Sequence, residues 1–224
     1  MTDDVKAPRR RYSSVVRAEQ AAATRQAVLD AARVLFVQKG YAATGMGEIA
    51  ARAGVALDTV YAAAGRKPEL LRELVETAIS GGSAAVPGEQ REYVQRIRSA
   101  ATATEKIGIY AAAVAAIGAR LAPVHRALAE AAVTDPACAA LRAEISVRRA
   151  ANMRLFAADL RATGEVRGDL TDDEVADIVW STNSAEFHAL LVGQRSWSSE
   201  RFGTFLADTW ARVLLEPAPA GRGT

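Results

Sequence analysis

The sequence predicts an all-α chain: an N-terminal three-helix head containing a helix-turn-helix, then a C-terminal antiparallel helical bundle. Three observations predict it. Hydrophobic residues make up 50% of the 224, and alanine dominates them while Val-Ile-Thr runs are scarce, which favours closely packed helices. Apolar residues recur at helical spacing in segment after segment. No alternating strand pattern flanked by hairpin signals occurs anywhere.

Residues 1 to about 16 are polar and read as a solvated tail. The basic cluster Arg9, Arg10 and Arg11 stands in it, ahead of the first helix, as an arm able to reach phosphates or a minor groove. Val28, Ala31, Ala32, Leu35 and Phe36 follow i, i+3, i+4, i+7, i+8, predicting an amphipathic helix over 16–39. Gly40 stops it, with Lys39 placed to suit the helix dipole. Met46, Ile49, Ala50 and Ala53 then mark a short helix, and Gly54 supplies the left-handed position for a sharp turn. Val55 and Val60 point back to the same small core, while a second short helix carries Thr59 and Tyr61. Two short helices joined by a Gly-containing turn form a helix-turn-helix, whose second helix can enter a DNA major groove. Pro68 suits a first helical turn, and Leu70, Leu71, Leu74 and Val75 continue a fourth helix to about Ser80.

The break from Gly81-Gly82-Ser83 to Pro87-Gly88 divides a head, 1–82, from a body, 88–215. Body helices are predicted at roughly 89–99, 103–120, 123–133, 137–163, 171–193 and 198–215, with Pro123 and Pro136 marking starts. Thr171-Asp172-Asp173-Glu174 is a capping box. Residues 216–224 carry two Pro and two Gly and are expected to be disordered.

Net charge is only +2, but residues 5–67 hold eleven Lys and Arg against four acids, so the positive field sits on the head. The single cysteine, Cys138, excludes an internal disulfide and reads as a small buried hydrophobe. No signal peptide is visible, and the uncharged stretch 107–119 is too short to span a bilayer. A cytoplasmic protein with no membrane partner is expected. His125 and His188 lack companions at ligand spacing, so neither suggests a metal or catalysis, and no cofactor is expected. No Ser-His-Asp, Cys-His or phosphate-loop pattern supports an enzyme.

The stretch Gly40-Tyr41, Thr44, Ile49-Ala50, Ala53-Gly54-Val55, Thr59-Val60-Tyr61, Gly65, Lys67 and Leu70-Leu71 resembles the DNA-binding domain of the tetracycline-repressor (TetR) family. The resemblance implies phosphate contacts from Thr59, Tyr61 and Lys67, and a hydroxyl, a phenol and an ammonium suit that task without reading sequence. Candidate DNA contacts are therefore Thr44, Gly45, Leu57, Asp58, Thr59, Tyr61, Arg66 and Lys67, with Arg9, Arg10 and Arg11 on the arm. The chain departs from the family pattern at several positions. Ala56 replaces a small hydroxyl cap, Ala64 an aromatic plug, and Gly45 and Gly47 polar side chains. Between Val55 and Ala64 there is no Arg, Lys, Asn or Gln to read base edges. Asp58 can accept from a cytosine amino group or act as a first-turn acid for its own helix. Discrimination then leans on Arg66, the arm and DNA shape.

For the body, the resemblance implies a ligand-responsive domain whose last two long helices pair with those of a second copy. Helix 171–193 offers a stripe of Val175, Ile178, Val179 and Leu190 and an adjoining arc of Trp180, Phe187 and Leu191; Val213 and Leu214 extend the next helix. Polar residues interrupt apolar faces, which is costly unless they are paired. An interhelical salt bridge from Arg148 or Arg149 to Glu186 is one reading. An effector cavity is the other, with candidates Tyr110, Arg148, Asn152, Met153, Phe156, Trp180, Asn183, Glu186 and Phe187. The resulting expectation is a homodimeric regulator on a pseudo-palindromic double-stranded operator, a repressor released by a small-molecule effector. The alternative is a co-regulatory protein of the same fold that has lost sequence-specific DNA binding.

Overall fold

The structure, a computed structural model, describes residues 9–82 and 84–217, with side chains described from Val16 onward. The expectations for residues 1–8, and for most of the C-terminal tail, lie outside the described residues. Among the described residues there are ten α-helices, one isolated bridge between Val166 and Leu215, and no strand. The chain divides into two compact units between Leu74 and Val75.

The first unit is built on α1 (Arg9–Lys39), α2 (Met46–Ala53), α3 (Leu57–Ala64) and the start of α4 (Lys67–Ser80). Helix α1 begins at Arg9, seven residues before the expected start, so the arginine cluster belongs to its first turn instead of preceding it. No Pro or Gly interrupts 9–39, so nothing in the sequence halts the helix earlier. Val28, Ala32, Phe36, Ile49, Val60, Leu70 and Leu71 are essentially inaccessible and form the unit's core. Gly54 closes α2 at φ 72, its N–H bonded to Ala50 and Ala51 carbonyls, and Val55 N–H reaches Ala50 O at 3.1 Å. Arg25 ties three elements together: it chelates the Glu73 carboxylate and donates to Ala63 O.

The second unit contains α5 (Glu92–Ser99), α6 (Ala103–Ala131), α7 (Pro136–Arg161), α8 (Asp172–Thr182), α9 (Ala185–His188) and α10 (Ser199–Leu214). Helix α6 is one continuous element, not two: Pro123 lies inside it. The missing backbone bond costs up to ~3 kcal/mol, offset by burial of Val124, Ala127, Leu128 and Ala131 beyond the proline. By length and composition alone α6 could cross a membrane. Here it is the central helix of a bundle, packed by α5, α7, α9 and α10, with a buried Lys106 that donates to Ile97 O at 2.7 Å. Helix α10 lies along α6, where a Cβ on Gly203 would come within 3.2 Å of Ala115 Cβ. Its Phe202, Leu206, Trp210 and Leu214 are fully buried, and Trp210 Nε1 donates to Thr182 Oγ1 at 2.8 Å.

The predicted helix 171–193 is three pieces. Thr171 caps α8 through the expected box, but α8 stops at Asn183. Ser184 Oγ accepts the Phe187 N–H and starts α9, which passes into a π-helical turn over 189–194. Consecutive Thr, Asn and Ser offer the backbone side-chain partners that compete with helical ones. The register shift leaves Leu190 half exposed and turns Leu191 against the core, opposite to the stripe and arc read from a continuous helix. Glu216 is held in place: its N–H donates to Glu165 O, and its carboxylate accepts the Gly168 N–H. Cys138 is a buried thiol.

Candidate nucleic-acid interface and effector cavity

In the first unit, Tyr61, Arg66 and Lys67 line one shallow groove with Met46 and Pro68, of about 460 Å³. The geometry follows from Gly65, whose φ of 75 breaks α3 and starts α4 two residues later. Lys67 Nζ donates to Tyr41 O at 2.6 Å and lies 4.1 Å from the Tyr41 ring centroid. The ammonium is thus pinned at the mouth of the groove, beside the exposed Tyr61 phenol. Arg66 is exposed, and its N–H is capped by Glu69 Oε2 at 3.0 Å. A phenol, a guanidinium and an oriented ammonium converging on open space are suited to phosphate oxygens.

Helix α3 presents Leu57, Asp58 and Ala62 outward, with Thr59 partly covered. Ala56 precedes it with no side-chain cap, as its missing hydroxyl dictates. Its exposed face therefore offers methyl contacts, one carboxylate and the Tyr61 phenol, and no amide or guanidinium. Thr44 departs from its expected place at the surface. It is 2% exposed, and its hydroxyl donates to Gly40 O at 2.8 Å, shaping the turn before α2. Gly45 is the N-cap of α2, with its N–H taken by Glu48 Oε2 at 3.1 Å. Lys39 holds the same carboxylate. Arg9, Arg10 and Arg11 are helical in backbone; their side chains lie outside the described set.

In the second unit a cavity of about 100 Å³ lies between α6, α7 and α9. Of the expected effector residues, Tyr110, Arg148, Asn152, Met153 and Asn183 line it. Tyr110, Arg148, Asn152 and Met153 also wall a larger cleft of about 780 Å³, which Phe156 joins. Trp180, Glu186 and Phe187 line neither; the break at Asn183 redirects the last two. Phe187 instead packs on Phe202 and Phe205, and Glu186 faces outward toward Arg142 at 3.5 Å and His125 at 3.9 Å. No salt bridge joins Arg148 or Arg149 to Glu186. Arg148 pairs with Glu76, and Arg149 donates to Trp180 O at 2.8 Å and Asn183 Oδ1 at 2.5 Å.

One polar chain organises this wall. Asn183, fixed by Arg149, donates from Nδ2 to Tyr110 Oη at 2.7 Å and to Met153 Sδ at 3.0 Å. Burial pushes the Tyr110 phenol well above its ordinary value, so it stays a neutral donor and acceptor. Tyr93 and His188 are among the lining residues that escaped the sequence reading as cavity residues. Tyr93 lines the cavity and lies over Tyr110, ring centroids 6.2 Å apart. His188 reaches the cavity because Gly118 of α6 has no side chain to hold it off. No local pattern announces a glycine and a histidine seventy positions apart.

Residues 28–74 match the sequence model of bacterial regulatory proteins of the tetR family. No curated protein sequence matches the chain. Among solved structures, the chain is similar to SmeT in complex with triclosan, at 20% identity and a TM-score of 0.68, over 90% of this chain and 96% of that one. It is similar to NalD, the secondary repressor of the MexAB-OprM multidrug efflux pump in Pseudomonas aeruginosa, at 16% identity and a TM-score of 0.66, over 91% and 100%. A protein from Saccharomonospora viridis in complex with choline matches at 18% identity and a TM-score of 0.63, over 86% and 98%. The chain therefore carries, over residues 28–74, the sequence of a tetR-family DNA-binding head, and over most of its length it shares the fold of these solved structures.

Proposed function

We propose that the protein is a homodimeric repressor of the cytoplasm, bound to a pseudo-palindromic operator and released from it by a small-molecule effector. The observation that carries this reading is the groove where Tyr61, Arg66 and Lys67 converge beside the exposed face of α3. A cavity in the body, walled by aromatic, apolar and hydrogen-bonding side chains, supports the effector part. An effector acts by favouring the head spacing that does not fit two successive major grooves, which shifts the population away from DNA. Because α3 offers few base-reading groups, much of the affinity comes from phosphate contacts and falls steeply with salt. The test is a gel shift against the gene's own upstream region at low and moderate salt, with unrelated DNA as competitor. Specific retention at moderate salt is expected. Binding that is equal for both DNAs, or absent, overturns the operator reading and leaves a co-regulatory role for the fold.

A further inference from the structure

The cavity's lining is unbalanced in charge. Arg91, Arg148 and Arg149 face it, and no acidic residue does. Glu76, outside the lining, serves two of the three: it pairs with Arg148 and stands 3.8 Å from Arg91. Arg149 has no carboxylate within ion-pair distance among the described residues. Both of its hydrogen bonds leave from Nη2 and end on neutral oxygens, so Nε and Nη1 keep their hydrogens for another acceptor. Its guanidinium also lies 5.2 Å from the Trp180 ring centroid, a contact that orients the charge without neutralising it. Burial is the leading influence on this group and disfavours its charged form; Tyr110 and the more distant Glu186 carboxylate act the other way without outweighing it.

His188 is the second anomaly. It is 5% exposed, lines the same cavity, and neither ring nitrogen meets a hydrogen-bonding partner among the described residues. Buried polar atoms are nearly always partnered, so a ring with two orphaned nitrogens in a cavity wall marks where a ligand's polar group belongs. The rest of the lining includes Val114, Ile117, Leu121 and Ile145, which offer only hydrocarbon.

We propose that this cavity receives a small organic acid, its carboxylate held by the Arg149 guanidinium and the His188 imidazole and its hydrocarbon part among Val114, Ile117, Leu121 and Ile145. The proposal rests on reading the body as the effector domain and names the chemical class of that effector. A carboxylate supplies the counter-charge that Arg149 lacks and accepts the N–H of His188; an amine adds a fourth cation to the lining. An amide of the same shape fills the hydrocarbon part but leaves the charge uncompensated. A volume near 100 Å³, smaller than the cavity of about 150 Å³ that takes benzene, limits the acid to a few carbons unless the wall yields to a larger one.

The test uses the full chain without DNA. Butanoate, hexanoate and benzoate are each compared, at constant ionic strength, with the primary amide and the amine of the same skeleton, by thermal shift and calorimetry. At least one acid is expected to raise Tm and to bind at least tenfold more tightly than its amide, with its amine weaker still. Arg149→Gln should lower that acid's affinity at least tenfold, and Arg149→Lys should recover part of it. His188→Phe, which keeps the ring and removes both nitrogens, should weaken the acid more than the amide. If Arg149→Gln does not fold, the acid-to-amide ratio on the unaltered chain decides. Amide or amine binding as tight as acid, no response to any acid at 5 mM, or acid affinity untouched in a folded Arg149→Gln each overturns the proposal. A chain that binds acid but no operator refutes the repressor reading alone; one released from DNA by amines or amides refutes this inference alone.

Discussion

Replacing Gly118 with alanine tests the packing that places His188 in the cavity. An added Cβ would lie 2.4 Å from His188 Cδ2 and 2.9 Å from Cγ and Nε2, inside any real carbon contact. The ring cannot retreat toward α10, because Phe202 meets it edge-on with centroids 5.2 Å apart. It must swing through the cavity, or α6 and α9 must separate, and such overpacking costs about 1–3 kcal/mol. Against this, Gly→Ala inside a helix stabilises by about 1 kcal/mol. Gly118→Ala should therefore be neutral to destabilising by about 2 kcal/mol. Gly108 provides the control: it sits on the same helix, and a Cβ there meets nothing within 4 Å. Gly108→Ala should stabilise by roughly 0.5–1 kcal/mol. The assay is urea denaturation of both variants followed by circular dichroism, with equal slopes required before midpoints are compared. Equal stabilisation by the two alanines would refute the close approach of His188 to α6, and with it the argument that the imidazole lines the cavity.

Four further outcomes are expected. Lys67→Ala should weaken binding to all DNA sequences alike and reduce the salt slope by about one unit, while loss of its bond to Tyr41 O lowers head stability by about 1 kcal/mol; an unchanged slope removes Lys67 from the phosphate contacts. Asp58→Asn should strengthen non-specific binding if α3 faces DNA, whereas lower Tm with unaltered affinity would make the acid a helix-capping group. Burial lowers the pKa of both His125 and His188 below the ordinary 6.5, so the unfolded chain binds more protons there. Stability should fall as pH drops below about 6.5, each histidine adding at most about 1.4 kcal/mol per pH unit until its folded value is passed; His188→Gln should flatten the curve, and stability that is flat or rising from pH 7 to 5.5 contradicts the burial. Leu190→Asp alters a half-exposed side chain and should leave helicity intact; where the proposed dimer covers this face, monomers are expected in sedimentation, since a charge buried in an interface of roughly 1,600 Å² is poorly tolerated. A dimer that survives it is built on another face.

The head was legible from the sequence because its signals are short-range. Met46, Ile49 and Ala50 repeat at helical spacing, Gly54 sits where only a left-handed residue permits the turn, and Pro68 opens α4, each within a few bonds of what it specifies. The same holds for the Thr171–Glu174 box and for the capless start of α3 at Ala56. The body's cavity depends on other distances. Pro123 reads locally as a helix start, yet buried Val124, Ala127 and Leu128 carry α6 through it. The face shown by Leu190 or Leu191 turns on a break at Asn183, whose side chain is claimed by Arg149 and Tyr110 from two other helices. His188 lines a cavity only because Gly118, on a different helix, leaves room for its ring. Helix periodicity and caps are properties of neighbours along the chain, so the sequence alone determined α2, α3 and the turn between them, though not where α1 begins. Which polar atoms are matched, and which are left facing a cavity, is decided between helices that meet only after folding.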